Sequence, residues 1–336
     1  MNIGIYTLGN DTVYDQLVAL LNSIEVNIGI DIPVCIIPYN EQLDLVKQEV
    51  NSRVNVTIFD NSESIQRWEE FAKEVWAAHP GANASKLSRN WWSSGHLQRK
   101  MCAFDGDFDA FVFCDADSLV MKSFNGIFEK LNTYSFVFDD WIHTKNCIKV
   151  PLNVPLLEQA NLFTEQQIRP RLHCSDFFGS KRGLFTTADL TKYKKLLIEE
   201  REVEWLTAWW DDAHLFNYLT FKLNLPLFNY TLSENGGDRT GNCAIADSFV
   251  NINNVLYNEQ GLKPIHRLHY MNYPAIDFTR LCSGENVDVR YKEEFLHYRF
   301  LKQPESRPQN FYSPSLSKKF SRLYKKATKK VRMLVS

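Results

Sequence analysis

The segment "FVFCDADSLVMKSF" (111–124) runs a string of apolar residues into two carboxylates one residue apart, Asp115 and Asp117. On an extended backbone, side chains two positions apart point the same way, so both carboxylates face one point. Two anions held together require a cation, and a hard divalent ion that takes oxygen ligands suits them. Magnesium or manganese bound in this way keeps open positions for substrate phosphates. The chemistry written into this stretch is therefore a metal-bound diphosphate. A solvated strand end is the plain alternative, but the apolar residues on both sides of the pair argue for a built site.

The elements around the pair read as a carrier for such a site. Strands are expected at 2–7, 32–39, 54–59, 109–114 and 134–139, separated by helices at 11–24, 41–50 and 64–78 and a helical segment near 96–104. Asp11 is the expected cap of the first helix. Near-continuous apolar strands separated by helices imply a mostly parallel sheet covered on both faces. Ligands of such a sheet bind beyond the carboxyl ends of its strands, where Asp115 and Asp117 lie. Past residue 140 the pattern calls for a strand and turn over 176–185, then a helix capped near Thr187. A helix over 211–224 and strands over 225–232 and 263–270 follow.

Charge and cysteine usage narrow the function classes. The formal net charge is −2, but eight Lys and Arg lie between Lys318 and Arg332 and no acid follows Glu305. The first 317 residues thus carry a net charge of −10, which argues against nucleic-acid binding by the body of the protein. In the tail, Phe320, Leu323, Tyr324, Ala327, Val331 and Leu334 recur at helical spacing among the basic residues. Residues 318–334 therefore read as a basic amphipathic helix suited to an anionic membrane surface, against a disordered, solvated tail. The seven cysteines are scattered, with no C-x-x-C pair and several inside apolar strands, which suggests a reducing compartment. The opening "MNIGIYTLGN" reads as a strand rather than a signal peptide, and no apolar run approaches transmembrane length. The expected location is cytoplasmic, with the tail peripheral on a membrane.

"FCDADSLVMKSF" resembles the D-x-D segment of GT-A type glycosyltransferases, particularly the glycogenin and family 8 group and its bacterial relatives. Order and spacing agree over about residues 1–275. The strand "IYTLGN" precedes a helix, and Lys100 lies fifteen residues before Asp115, where such enzymes place a basic residue near the nucleotide diphosphate. "CSDFFGSKRG" (174–183) is similar to the acceptor-side strand, "DDAHLFN" (211–217) to the start of a catalytic helix, and "LHYMNY" (268–273) to the late element whose His completes the metal site. The chain departs from the family pattern at Asp176, often Gly, at Ala213, usually Gln, and in lacking the K-P-W ending.

The resemblance implies Asp115, Asp117 and His269 as metal ligands, Asp115 also contacting the nucleotide ribose. His266 competes with His269, and a neutral imidazole among the ligands would favour Mn2+ over Mg2+. It implies Lys100 beside the diphosphate, with Arg99 adjacent on the same helix and pointing elsewhere. Asp212 would bind or activate the acceptor, while Asp211 beside it is equally suited to capping the helix or to chemistry. The Trp209–Trp210 pair offers either a sugar-stacking face or core. Thr7 and Asn10, following the first strand, are candidates to contact the base or are ordinary turn residues.

The expectation is a GT-A domain over 1–303, with a nucleotide-sugar half (1–140), an acceptor half (141–303) and a Pro/Ser linker with basic tail (304–336). It would transfer a sugar, with retention implied by the resemblance, from a nucleotide-diphosphate sugar, a UDP-sugar by preference, to a glycan, lipid or protein. The rivals are a haloacid dehalogenase-like phosphatase using the D-x-D strand end and a non-catalytic GT-A-shaped binding module. The phosphatases usually show Gly-Thr after the second Asp, where Ser118–Leu119 stand here. A nucleotidyltransferase would open with a Gly-rich basic loop, which "TLGNDT" is not.

Overall fold

The computed structural model describes residues 2–82, 96–146, 150–208, 212–232, 242–258 and 262–315. Cys147, Trp209, Trp210, Asp211 and the basic tail lie outside the described residues. Strand β1 (Ile3–Gly9) leads through a short 3-10 turn into α1 (Tyr14–Asn27), followed by β2 (Val34–Pro38), α2 (Asp44–Asn51), β3 (Val56–Ile58) and α3 (Ser62–Ala78). Asn10, not Asp11, caps the entry to α1, its side chain accepting from Thr12 N. Asp11 instead accepts from the backbone N–H groups of Asp44, Leu45 and Val46 at 2.9–3.1 Å, capping α2. The segment expected to be helical near 96–104 is a 3-10 stretch, Leu97–Asp105.

Beyond it come β4 (Ala110–Cys114), β5 (Ser118–Val120), α4 (Asn125–Lys130), β6 (Phe136–Phe138), α5 (Val154–Gln159), α6 (Glu165–Ile168) and β7 (Phe177–Lys181). The chain continues through α7 (Thr187–Ile198), α8 (Asp212–Leu223), β8 (Leu227–Asn229), β9 (Phe249–Ile252), β10 (Val255–Asn258), β11 (Arg267–His269), α9 (Ala275–Cys282) and α10 (Lys292–Arg299). Seven strands form one mixed sheet in the order β3-β2-β1-β4-β7-β6-β8. β7 runs antiparallel to both β4 and β6, while the other pairs are parallel.

Alternation along the strands builds a core on each face. Tyr6 and Leu8 of β1 and Phe111 and Phe113 of β4 pack with α3, the 3-10 stretch, α7 and α8. Ile5 of β1 and Ala110, Val112 and Cys114 of β4 pack with α1, α2 and α4. Burial on both faces is why these strands read as continuous apolar runs. A third cluster seats α9 and α10 on the outer side of α1, through Ala19, Phe278, Leu281, Phe295 and Leu296.

Several elements differ from the sequence expectation. The strands expected over 225–232 and 263–270 shrink to three residues each, because only those residues find a partner strand. β5 pairs with β11 in a small antiparallel sheet, and β9 with β10 in a hairpin. The expected Pro/Ser linker folds back on the domain: Tyr312 and residues 284–286 exchange two backbone hydrogen bonds of 2.9 Å, and Phe311 packs on the third cluster. The six cysteines among the described residues are all free thiols. Among the described residues no helix is long and apolar enough to cross a membrane.

Candidate active site

The face of β4 that carries Phe111 and Phe113 continues to Asp115, so Asp115 emerges on the side of the 3-10 stretch. That stretch carries Lys100, whose Nζ lies over the Phe113 ring, 5.1 Å from its centroid. Nζ lies 3.2 Å from Asp115 Oδ1, 2.7 Å from Asp212 Oδ2 and 3.2 Å from the carbonyl oxygen of Ser175. Lys100 is therefore buried between two carboxylates. Arg99 turns away, donating to Glu69 and to the carbonyl of Pro38.

Asp117 comes from a turn between β4 and β5 rather than from extended strand. The β5–β11 pairing carries the geometry onward: Tyr270 N donates to the Asp117 carbonyl at 2.9 Å, setting His269 beside the Asp117 side chain. His269 Nε2 lies 3.3 Å from Asp117 Oδ1, and its Nδ1 lies 2.6 Å from Asp176 Oδ2. Ligand atoms of Asp115, Asp117 and His269 all lie within 4.8 Å of one another. His266 does not join them; its Nδ1 is 2.6 Å from Asp139 on the other side of β11.

α8 delivers Asp212 in its first turn. Asn217, one helical turn farther on, accepts from His173 N at 3.1 Å and donates to the His173 carbonyl at 2.6 Å, tying α8 to the segment before β7. Ser175, two residues along, then donates its hydroxyl to Asp212 Oδ2 at 2.6 Å. Asp176 follows; its backbone carbonyl accepts from Asp115 N at 2.9 Å, extending the β4–β7 ladder.

The electrostatics follow from crowding anions in a dry place. Burial pushes Asp115 up to about 7, with Asp117 and Asp212 adding to the push against the pull of Lys100. Burial works against the Lys100 charge, but Asp115 and Asp212 outweigh it and hold its pKa above the ordinary value. Burial likewise opposes charge on His269, yet Asp117 and Asp176 raise it to about 10. Such a constellation favours added positive charge.

A pocket of about 420 Å³ opens beside the carboxylates at the carboxyl ends of β1, β2 and β4. Leu8, Val13 and Tyr39 supply apolar wall, and Asn10, Asn40 and Gln16 supply amides, while Asp115 and Asp117 line one end. Asn10 Nδ2 donates to Asn40 Oδ1 at 3.1 Å, and Gln16 Oε1 is buried without a hydrogen-bond partner. Thr7 lies elsewhere: it sits inside β1 rather than after it, fully buried and outside the pocket lining. Its side chain alternates with Tyr6 and Leu8 onto the opposite face of the sheet.

Sequence reasoning did not single out Ser175, Gln16, Asn40 or Arg267. Only Asp176 carried a signal, as a charged residue directly ahead of the apolar strand "FFGS". The β4 strand lies in the middle of the sheet, with three strands before it in the chain. That differs from the phosphatase alternative, in which the strand bearing the two carboxylates begins its domain.

No protein-family model matches the sequence, and no curated protein matches it. Solved structures do. Mouse xyloside xylosyltransferase 1 in its apo form is similar at a TM-score of 0.50 and 7% identity, over 68% of this chain and 85% of that one. A galactosyltransferase in complex with donor and acceptor sugar analogues gives 0.42 and 12% identity, over 88% and 95%. Core-mannan synthase A from Aspergillus fumigatus in a Mn/GDP form gives 0.38 and 12%, over 66% and 69%. At 7% identity the likeness to the xylosyltransferase is one of architecture, and it agrees with the mixed sheet and the strand-end carboxylates: the chain has the GT-A fold.

Proposed function

We propose that the protein is a metal-dependent glycosyltransferase that moves a sugar from a nucleotide-diphosphate sugar, a UDP-sugar by preference, to a glycan, lipid or protein acceptor. The observation that carries this reading is the convergence of Asp115, Asp117 and His269, the two carboxylates of which also line the pocket. Two carboxylates and one imidazole fit a divalent ion with open positions, and the imidazole favours Mn2+ over Mg2+. Such an ion, when bound, supplies positive charge to the departing diphosphate.

The chain's own groups account for the rest. Asn10, Asn40 and Gln16 offer amide donors and acceptors to the base and ribose, and Tyr39 and Leu8 offer apolar surface. Lys100 already stands between the donor and acceptor sides and adds a fixed positive charge where negative charge develops. Lys100 and Ser175 both engage Asp212 Oδ2, and the same carboxylate takes the hydrogen bond of the acceptor hydroxyl. The bond from the anomeric carbon to the diphosphate oxygen breaks, a bond to the acceptor oxygen forms, the acceptor's hydroxyl proton passes to the Asp212 carboxylate, and the nucleoside diphosphate leaves.

The test is incubation with Mn2+ and a panel of nucleotide sugars, with release of free nucleotide as the readout. Turnover of one donor that disappears on chelation is the expected result. Absence of turnover and of any thermal shift across the panel would remove the proposal. The free thiols of the six described cysteines, three of them buried, support a cytoplasmic location. The basic tail (318–334) is proposed to hold the enzyme on an anionic leaflet; equal liposome binding by the full chain and by residues 1–315 would dismiss that.

A further inference from the structure

The departure at position 176 has a structural counterpart. Asp176 stands opposite Asp115 on the β4–β7 ladder, and its side chain reaches across to β11. There, Oδ2 alone receives two donors: His269 Nδ1 at 2.6 Å and an Arg267 guanidinium nitrogen at 2.7 Å. Arg267 is fully buried, packed over the Phe177 ring at 4.7 Å, and holds Asp176 in place from the side away from the pocket. Oδ1 of Asp176 is buried with no hydrogen-bond partner. A carboxylate kept only for the fold would have both oxygens satisfied, since an unpaired buried acceptor costs free energy. This one gathers two charged donors, the His269 imidazole and the Arg267 guanidinium, on a single oxygen.

We propose that Asp176 is a positioning residue for the metal site, with Arg267 as its anchor. By accepting from His269 Nδ1 it fixes the ring orientation and the tautomer in which Nε2 carries the lone pair aimed at the Asp115–Asp117 side. Asp176 is not itself a ligand: the cluster of mutually close ligand atoms contains Asp115, Asp117 and His269 alone among the described residues. A carboxylate behind a ligating histidine raises the basicity of the ligand and removes its freedom to rotate, and losing such a partner weakens metal binding about 10- to 100-fold. The inference rests on the metal-dependent reading of this site, so its test must separate the two.

The experiment is titration of metal-free full-length protein with Mn2+, followed by loss of the free-ion electron paramagnetic resonance signal. The proteins compared are wild type, Asp176→Asn, His269→Gln and the double variant. The expected result is one site in wild type, affinity lower by about 10- to 100-fold in Asp176→Asn, and no further loss when Asp176→Asn is added to His269→Gln. An Asp176→Asn affinity within twofold of wild type overturns the proposal, as does a full additional loss in the His269→Gln background. A wild type that takes up no Mn2+ overturns the metal reading and this proposal with it, whereas normal wild-type binding with an indifferent Asp176→Asn overturns this proposal alone. Should the variant not fold, nitrogen-15 NMR of the wild type loaded with diamagnetic Zn2+ decides: His269 Nδ1 must keep its proton, and a bare Nδ1 refutes the assignment.

Discussion

Replacing Lys100 by Met isolates one quantity, the positive charge between Asp115 and Asp212. Met matches most of the lysine stem in volume, so little of the effect comes from lost packing. What disappears is an ammonium 2.7 Å from one carboxylate and 3.2 Å from another, in a side chain only 2% exposed. Removing one partner of a buried ion pair leaves uncompensated charge and typically costs about 3–5 kcal/mol. Spread over the unfolding entropy of a 336-residue chain, that lowers the thermal midpoint by about 4–7 °C. The assay is urea unfolding of metal-free protein followed by far-ultraviolet circular dichroism, with and without Mn2+. The variant should regain more stability from saturating Mn2+ than wild type does, because the bound ion supplies the missing charge to Asp115. A loss under about 1 kcal/mol in metal-free buffer, the size of a surface pair, would refute the reasoning, since the two carboxylates would then be neutralised by solvent rather than by Lys100.

Two further predictions concern Asp212 and His173. Asp212→Asn should lower transfer at saturating Mn2+ and donor by about 10²- to 10⁴-fold, the range for a group acting on the proton of the attacking hydroxyl; single-turnover assays measure it, and unchanged transfer would remove Asp212 from the chemistry. His173, stacked on Phe138 with ring centroids 3.9 Å apart, is pushed by burial down to about 3. Between pH 6.5 and 3 the unfolded chain therefore carries a proton on this residue that the native state refuses, so stability must rise with pH across that window. At pH 5 the residue alone lowers stability by about 2 kcal/mol. His173→Gln should flatten the pH dependence of the urea midpoint between pH 4 and 6 by one proton, and an unchanged slope would show that the native imidazole is already protonated.

The parts of the molecule legible in the sequence are those whose signal is local. Residues 109–117 announce themselves because burial on both faces forces an unbroken apolar run, and the change to Asp-x-Asp marks where that burial ends. The alternation of the first four strands with helices was readable for the same reason, and it placed the pair at the correct edge of the sheet. The third corner of the site was not legible in this way. Only the pairing of β5 with β11, more than 140 positions apart, decides between His266 and His269. His269, the last residue of β11, meets Asp117, while His266, just ahead of the strand, meets Asp139. Three-residue strands carry no periodicity of their own, which is also why the strands expected over 225–232 and 263–270 were drawn too long. Thr7 is core because β1 extends two residues past it, to Gly9.

Lys100 illustrates what local reading leaves undetermined. As one of two adjacent cations on a helical stretch it looks like solvated surface, and Arg99 looks no different. The 3-10 geometry and the Phe113 platform turn one inward and the other toward Glu69. The consequence for function is that the same ammonium touches both the carboxylate proposed to hold the metal and the carboxylate proposed to meet the acceptor. A change in charge at Asp115 on loading the donor side must therefore be felt at Asp212 through Lys100, without any movement of the backbone. If Lys100 is drawn from Asp115 toward the incoming diphosphate, its hold on Asp212 changes in the same step, so acceptor affinity should depend on donor occupancy in wild type. In Lys100→Met that dependence should vanish even where both ligands still bind, because the charge shared by the two sides has been removed.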